Sequence, residues 1–223
     1  MEKSKWAERG FTMIELIFVI AIILSLTAIF APLAMDKLGQ SKTAKAQADI
    51  DAIAAALANF FSDTSNFPSC STGADCDPLD NASNNLKFLA ICTGNGSCVN
   101  DYPAGAAWSL TTNDHATTPA INNAYNHLVL NDPNADGTAG DTTAGTKDYR
   151  PAKWKGPYVT KLGLDPWGKT YIIHVGAMQK NGSPISAGKG WILAGGPDGT
   201  LDTGPADTAL QNDDVGYIFC TDC

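Results

Sequence analysis

The sequence predicts an α+β protein in which one long N-terminal helix packs, with its second half, on a small antiparallel β-sheet. Three observations lead to this fold class. Residues 16–35 hold no charged side chain, and apolar residues recur every three or four positions between residues 50 and 61. Short β-branched or aromatic runs, bounded by Gly, Pro or Asp, fill the last third of the chain. We therefore expect one helix followed by one head domain.

The uncharged segment, residues 16–35, has the length of a membrane-spanning helix. Its 20 residues, at about 1.5 Å each, match a hydrocarbon core of roughly 30 Å. Lys3, Lys5 and Arg9 precede the segment, and basic residues favour the cytoplasmic side of a membrane. We expect a single-pass membrane protein with a cytoplasmic amino terminus, whose chain lies across the membrane after about Met35.

The junction between the basic leader and the apolar segment reads Gly10-Phe11-Thr12-Met13-Ile14-Glu15. This string resembles the class III leader of type IV pilins and pseudopilins, which the prepilin peptidase cleaves after the glycine before methylating the new amino terminus. The resemblance implies a leader peptide at residues 1–10, a methylated Phe11, and a transmembrane and assembly helix at residues 11–35. An ordinary secretory signal loses its apolar core on cleavage, whereas this chain would keep it.

Glu15 and Pro32 are the candidate assembly residues of this helix. A carboxylate at membrane depth costs roughly 2.5 kcal/mol or more unless it is paired. Glu15 either snorkels to the interface or, as the resemblance implies, pairs with the Phe11 amino group of a neighbouring subunit and sets the register between helices. Pro32 removes a backbone donor and is expected to kink or open the helix.

Residues 36–62 form the amphipathic half of the predicted helix. Gly39 lowers helix stability by about 1 kcal/mol relative to Ala, which favours a bend rather than an end. The polar residues 62–66 and Pro68 terminate the helix. The apolar stripe expected to face the head consists of Ile50, Ile53, Ala54, Leu57, Phe60 and Phe61.

The head domain, residues 63–223, is predicted to be loop-rich with strands at residues 170–175, 191–194 and 215–219. The segments 154–159 and 164–171 each contain Trp and Tyr, and they hold a Gly-Pro and an Asp-Pro turn, respectively. In the order and spacing of these residues they resemble the signature of the major pseudopilin of type II secretion. The resemblance implies the pilin fold. Residues 69–153 do not fit it and are interpreted as a variable, cysteine-containing insertion.

The same resemblance implies a structural subunit that self-assembles into a helical filament, the pseudopilus, and helps to export folded proteins. Its implied partners are minor pseudopilins and an inner-membrane assembly platform, with the head in the periplasm. A type IV pilus subunit, major or minor, working in adhesion, motility or surface contact, remains an alternative.

Six cysteines support export, because disulfides persist outside the cytosol. They are Cys70, Cys76, Cys92, Cys98, Cys220 and Cys223. Their spacing groups them in three close pairs and favours three local disulfides, although six cysteines allow fifteen connectivities. Zinc binding is disfavoured because five residues separate the cysteines within each of the first two pairs, and because His115, His127 and His174 form no ligand pattern.

Two acidic loops are candidate Ca²⁺ sites. The loop at 195–202, returning through 212–216, resembles the calcium loop of major pseudopilins, which implies ligands at Asp198 and at the Asp213-Asp214 pair. Asp202 and Asn212 are further candidates, since Ca²⁺ takes six to eight oxygen ligands. The second loop, 132–137, matches the first half of a D-x-[DN]-x-[DN]-G motif, but Thr143 stands where the closing glutamate belongs. We interpret this second loop as an ordinary turn.

Enzymatic and nucleic-acid-binding functions are disfavoured. The sequence holds no G-x-S-x-G, H-E-x-x-H or Walker motif, so a membrane-anchored periplasmic enzyme is the weakest hypothesis. The formal net charge of −8 argues against a nucleic-acid partner, which requires basic surface.

Overall fold

A computed structural model describes residues 11–68, 76, 86–96, 98–105, 108, 122–143, 147–161, 163–178 and 188–220. The chain divides into two compact units, Met1–Ser41 and Lys42–Cys223. The leader, including Gly10, lies outside the described residues, as do Cys70 and Cys223. The described part of the first unit consists mainly of the N-terminal part of one helix. The second unit contains the rest of that helix and the sheet.

Helix α1 spans Met13–Thr64, 52 residues, and continues through Pro32 and Gly39. It ends two residues beyond the predicted boundary at residue 62. The Thr64 hydroxyl donates to the Phe60 carbonyl at 2.8 Å, and Ser65 follows with a positive φ of 61°. This left-handed residue stops the helical backbone, so the predicted helix of about fifty residues is confirmed.

Four antiparallel strands form one sheet in chain order. They are β1 (Leu89–Ala90), β2 (Ile172–Ile173), β3 (Gly190–Ala194) and β4 (Val215–Cys220). The small antiparallel sheet and two of its predicted strands, β3 and β4, agree with the sequence analysis. The predicted strand at 170–175 is shorter, because Val175–Ala177 turns into a 3-10 helix, and β1 was not predicted.

Both faces of β1, β2 and β3 are buried, which explains why these strands read as continuous apolar runs, whereas β4 is half-buried from Tyr217 to Cys220. Side chains alternate between the faces with the two-residue period of a strand. One face, including Ile173 and Ile192, packs on the second half of α1. The other, including Ile172 and Trp191, covers a second apolar cluster.

The predicted stripe of α1 is the helical side of the first cluster. Five of its six members are buried, Phe61 is half-buried, and Ala46 and Ala56 extend the same contact. Leu57 and Phe60 are fully buried. Seven of the 22 buried residues of this cluster lie on α1, so the helix contributes about a third of the core members there.

Candidate membrane segment and metal centre

The N-terminal part of α1 leaves its apolar side chains uncovered. Every large apolar residue described from Phe11 to Leu38 is exposed, with exposed fractions from 47% at Ile20 to 88% at Phe11. The helix is long and apolar enough to cross a membrane. Pro32 lies inside this segment, within unbroken helix. An apolar surface of this extent requires lipid or protein around it.

Glu15 closes a capping box at the start of α1. Its carboxylate accepts the Thr12 backbone N–H at 2.9 Å and the Thr12 hydroxyl at 2.8 Å. The Glu15 N–H in turn donates to the Thr12 hydroxyl at 3.3 Å. These reciprocal bonds satisfy backbone donors that the first turn would otherwise leave unpaired. This role was not predicted from the sequence, although the Thr-x-x-Glu spacing is its usual signal.

The aromatic residues of the pseudopilin-like signature pack as anchors in the core. The buried Tyr171 hydroxyl donates to Asp49 Oδ2 on α1 at 2.9 Å, and Lys45 lies 2.5 Å from the same oxygen. Burial and the neighbouring Asp49 carboxylate raise the pKa of Tyr171. The Trp154 indole N–H donates to the His127 carbonyl at 3.1 Å. These bonds tie the signature segments to the helix and to the segment before them.

The acidic loop after β3 is shaped by tight backbone turns. Gly196 and Gly199 have positive φ angles of 58° and 70°. A Cβ at Gly196 would lie 2.3 Å from the Asp213 carbonyl oxygen, so only glycine permits this approach. The Asp198 N–H then donates to Asp213 Oδ2 at 3.2 Å, which joins the two arms of the loop.

Three carboxylates meet in this loop: Asp198, Asp202 and Asp213 each place a possible ligand oxygen within 4.8 Å of the others. Two are exposed and Asp213 is half-buried, so an ion can reach them from solvent. Asn212 donates its amide to Asp202 at 2.6 Å. Oxygen ligands at this density suit a hard divalent cation such as Ca²⁺.

Asp214 stands apart from these three carboxylates. It is buried, and its Oδ2 accepts the Thr203 N–H at 2.6 Å. Burial, and secondarily the charge of Asp202, raise the pKa of Asp214. The structure therefore brings together Asp198, Asp213 and the less favoured candidate Asp202, and it gives Asp214 a bond that holds the loop.

The described cysteines are all disulfide-bonded. Cys92 pairs with Cys98, as the local pairing predicted, with 5.7 Å between their Cα atoms. Cys76 and Cys220 are also in disulfides.

The apolar N-terminal helix and the small antiparallel sheet on its second half give an α+β architecture consistent with a pilin-like fold. Comparisons of the chain with family models, with curated proteins and with solved structures found no match.

Proposed function

We propose that this chain is a structural subunit of a filament assembled from the inner membrane, and that the filament is the pseudopilus of a type II secretion system. The observation that carries the proposal is the uncovered apolar half of α1, directly after the Gly-Phe-Thr-x-x-Glu string and continuous with a helix that anchors the head. The pseudopilin-like signature in the head favours secretion over a surface pilus.

The apolar side chains of this segment must be covered both before and after assembly. A single subunit keeps them in lipid, where a spanning helix satisfies its own backbone hydrogen bonds. When subunits leave the membrane, the same surface becomes covered by neighbouring helices, so the filament core replaces the bilayer. The amino terminus lies in the cytoplasm and the head in the periplasm under this proposal, with minor pseudopilins and an assembly platform as partners.

The proposed role of Ca²⁺ is to order the loop between β3 and β4. Asp198, Asp202 and Asp213 would hold the ion, and their mutual repulsion in its absence would loosen the loop. Under this proposal the loop, which precedes the last strand, would be part of the surface that a neighbouring subunit meets. The ion is a structural ligand in this proposal and takes part in no reaction.

The test combines processing and assembly in cells that carry the cognate peptidase. We expect the intact mass of the membrane-extracted protein to show cleavage after Gly10 and methylation of Phe11. Gly10→Ala should slow cleavage. Glu15→Ala should insert in the membrane but assemble poorly, with Ser25→Ala, elsewhere on the exposed helix surface, as the matched control. A retained leader, or normal filaments from Glu15→Ala, would contradict the proposal.

Deletion of the gene separates secretion from the pilus alternative. Loss of exoprotein export without loss of surface filaments is expected for a pseudopilin. Loss of surface filaments or twitching with normal export would assign the chain to a type IV pilus instead.

A further inference from the structure

A second acidic segment, residues 132–141, is folded around a carboxylate. The Asp132 side chain accepts the backbone N–H groups of Asp136 and Gly137, both at 3.1 Å. Asn134 Oδ1 accepts the Asp136 N–H at 3.1 Å. Asp132 and Asn134 are buried, with 5% and 6% of their surface exposed. These bonds give the segment a fixed shape, which an ordinary solvated turn would also have.

Asp148 distinguishes this segment from an ordinary turn. It lies outside the motif, after the loop, and only 1% of its surface is exposed. Its Oδ2 accepts the Asp141 N–H at 2.7 Å, whereas its Oδ1 is buried with no hydrogen-bond partner in the described part of the chain. A buried, charged carboxylate oxygen left without a partner destabilises the fold, because it has lost its hydration and gained no hydrogen bond in return.

Three neighbouring carboxylates carry a charge of the same sign as that of Asp148. Burial, together with the carboxylates of Asp132, Asp136 and Asp141, raises the pKa of Asp148 to about 7. Backbone bonds hold Asp148 beside the acidic segment: its N–H donates to the Asp141 carbonyl at 2.9 Å, and Asn131 Nδ2 donates to the carbonyl of the adjacent Tyr149 at 3.0 Å. At this place its carboxylate is repelled by those of the segment. A divalent cation between them would convert this repulsion into attraction and would supply the missing partner of Oδ1.

We propose that Asp132, Asn134, Asp136 and Asp148 bind one Ca²⁺, at a site separate from the loop between β3 and β4. Asp148 takes the place of the closing glutamate that the motif lacks at Thr143. Mg²⁺ fits poorly, because it demands a near-octahedral shell and releases its water reluctantly, whereas Ca²⁺ accepts irregular carboxylate and amide sets. This inference does not depend on the filament proposal.

Binding at this site must contract the segment. Among the described residues, only Asp198, Asp202 and Asp213 bring three such ligands within 4.8 Å of one another, so a bound ion would have to draw Asp132, Asp136 and Asp148 closer together than the structure shows. Contraction would move Asp148 and the adjacent Tyr149, whose hydroxyl lies 2.7 Å from His127 Nδ1. Tyrosine near-ultraviolet circular dichroism therefore reports occupation of this site.

Calorimetric titration of the chelator-treated full-length protein in detergent with CaCl₂ tests the proposal. The wild type is expected to bind two ions per chain if the loop between β3 and β4 also binds, and one if it does not. Asp148→Asn should lose one ion in either case and should lose the calcium-dependent tyrosine signal. Asp213→Asn should keep that signal, which separates failure of this site from failure of the other.

Asp148→Asn keeps the shape of the side chain, and the amide oxygen can still accept the Asp141 N–H. The fold should therefore persist, which far-ultraviolet circular dichroism can verify. Asp136→Asn, which removes a different carboxylate of the set, should also lose one ion and provides a second test. Asp51→Asn, on the exposed face of α1, is the matched control and should bind as the wild type does. Unchanged stoichiometry and affinity in Asp148→Asn, or no binding in the wild type, would overturn the proposal.

Discussion

Phe60→Ala should remove a large part of the stability of the head. Phe60 lies on α1 with 0% of its surface exposed. Its ring makes edge contacts with Tyr149 at 5.0 Å and with Tyr158 at 5.3 Å between centroids. Truncation of a buried Phe to Ala costs about 3–5 kcal/mol, which is a large share of a typical free energy of unfolding of about 5–15 kcal/mol.

Phe60→Leu separates the volume of the side chain from its aromatic contacts. It keeps most of the apolar bulk but loses two edge-to-face pairs, worth about 0.5–1.5 kcal/mol each, so we expect a loss of about 1–3 kcal/mol. Asn59→Ala changes the neighbouring, exposed position and should stay within about 0.5 kcal/mol of the wild type.

Urea denaturation of the full-length protein in mild detergent measures these differences. Trp154 is a local fluorescence probe, because its ring lies 5.5 Å from that of Tyr158. If Phe60→Ala unfolds within about 1 kcal/mol of the wild type, the second half of α1 does not contribute its face to the head core, and the reasoning about the helix is refuted.

Three further predictions concern the head. The first uses the Asp148→Asn variant as the background, so that only the loop between β3 and β4 can respond to Ca²⁺. In this background, millimolar Ca²⁺ should raise the melting temperature above its value in chelator, by an amount that corresponds to about 2.7 kcal/mol at 100 times the Kd. Adding Asp213→Asn should abolish most of this rise. An equal rise in both proteins would exclude Asp213 as a ligand. Burial lowers the pKa of His174 below its usual 6.5, so the unfolded chain binds the proton more readily and the free energy of unfolding should decline as the pH drops below about 6.5. His174→Gln should flatten this decline, as measured by urea denaturation at several pH values. The same slope in the variant and the wild type would show that His174 does not cause the decline. Replacing both Cys92 and Cys98, six residues apart, with Ala should lower the free energy of unfolding by about 2 kcal/mol through the loop entropy of the denatured chain, measured under non-reducing conditions. A loss below about 0.5 kcal/mol would contradict that entropic account.

The parts of the fold that the sequence predicts are those with local signals. Helix α1 shows an uncharged run and then a stripe at three- and four-residue intervals, and β3 and β4 are compact apolar runs bounded by turn residues. Strand β1 has only two residues, and it is defined by pairing with β2 more than eighty residues later. No pattern near Leu89 contains that information, so β1 could not be predicted.

The candidate metal sites likewise have parts with local sequence signals and parts that depend on tertiary packing. The turns at Gly196 and Gly199 and the acidic residues around them could be predicted from Gly and Asp content. Which carboxylates converge depends on how two loop arms pack, and this packing favours Asp202 over Asp214. The burial of Asp148 is likewise a consequence of tertiary packing, because an isolated Asp-Tyr pair gives no sign of it.

The capping box at the start of α1 makes filament growth, as proposed above, an exchange of partners. Before assembly, Thr12 already holds the Glu15 carboxylate through two hydrogen bonds of its own chain. Under that proposal, a lone subunit would remain in the membrane with its carboxylate hydrogen-bonded to Thr12, and this would disfavour premature association. On incorporation, the Glu15 carboxylate would exchange its hydrogen bonds with Thr12 for an ion pair with a neighbour's amino group. The free energy gained would then be only the difference between these two bonded states. Such an exchange is readily reversible, and it would let one subunit pass repeatedly between bilayer and filament.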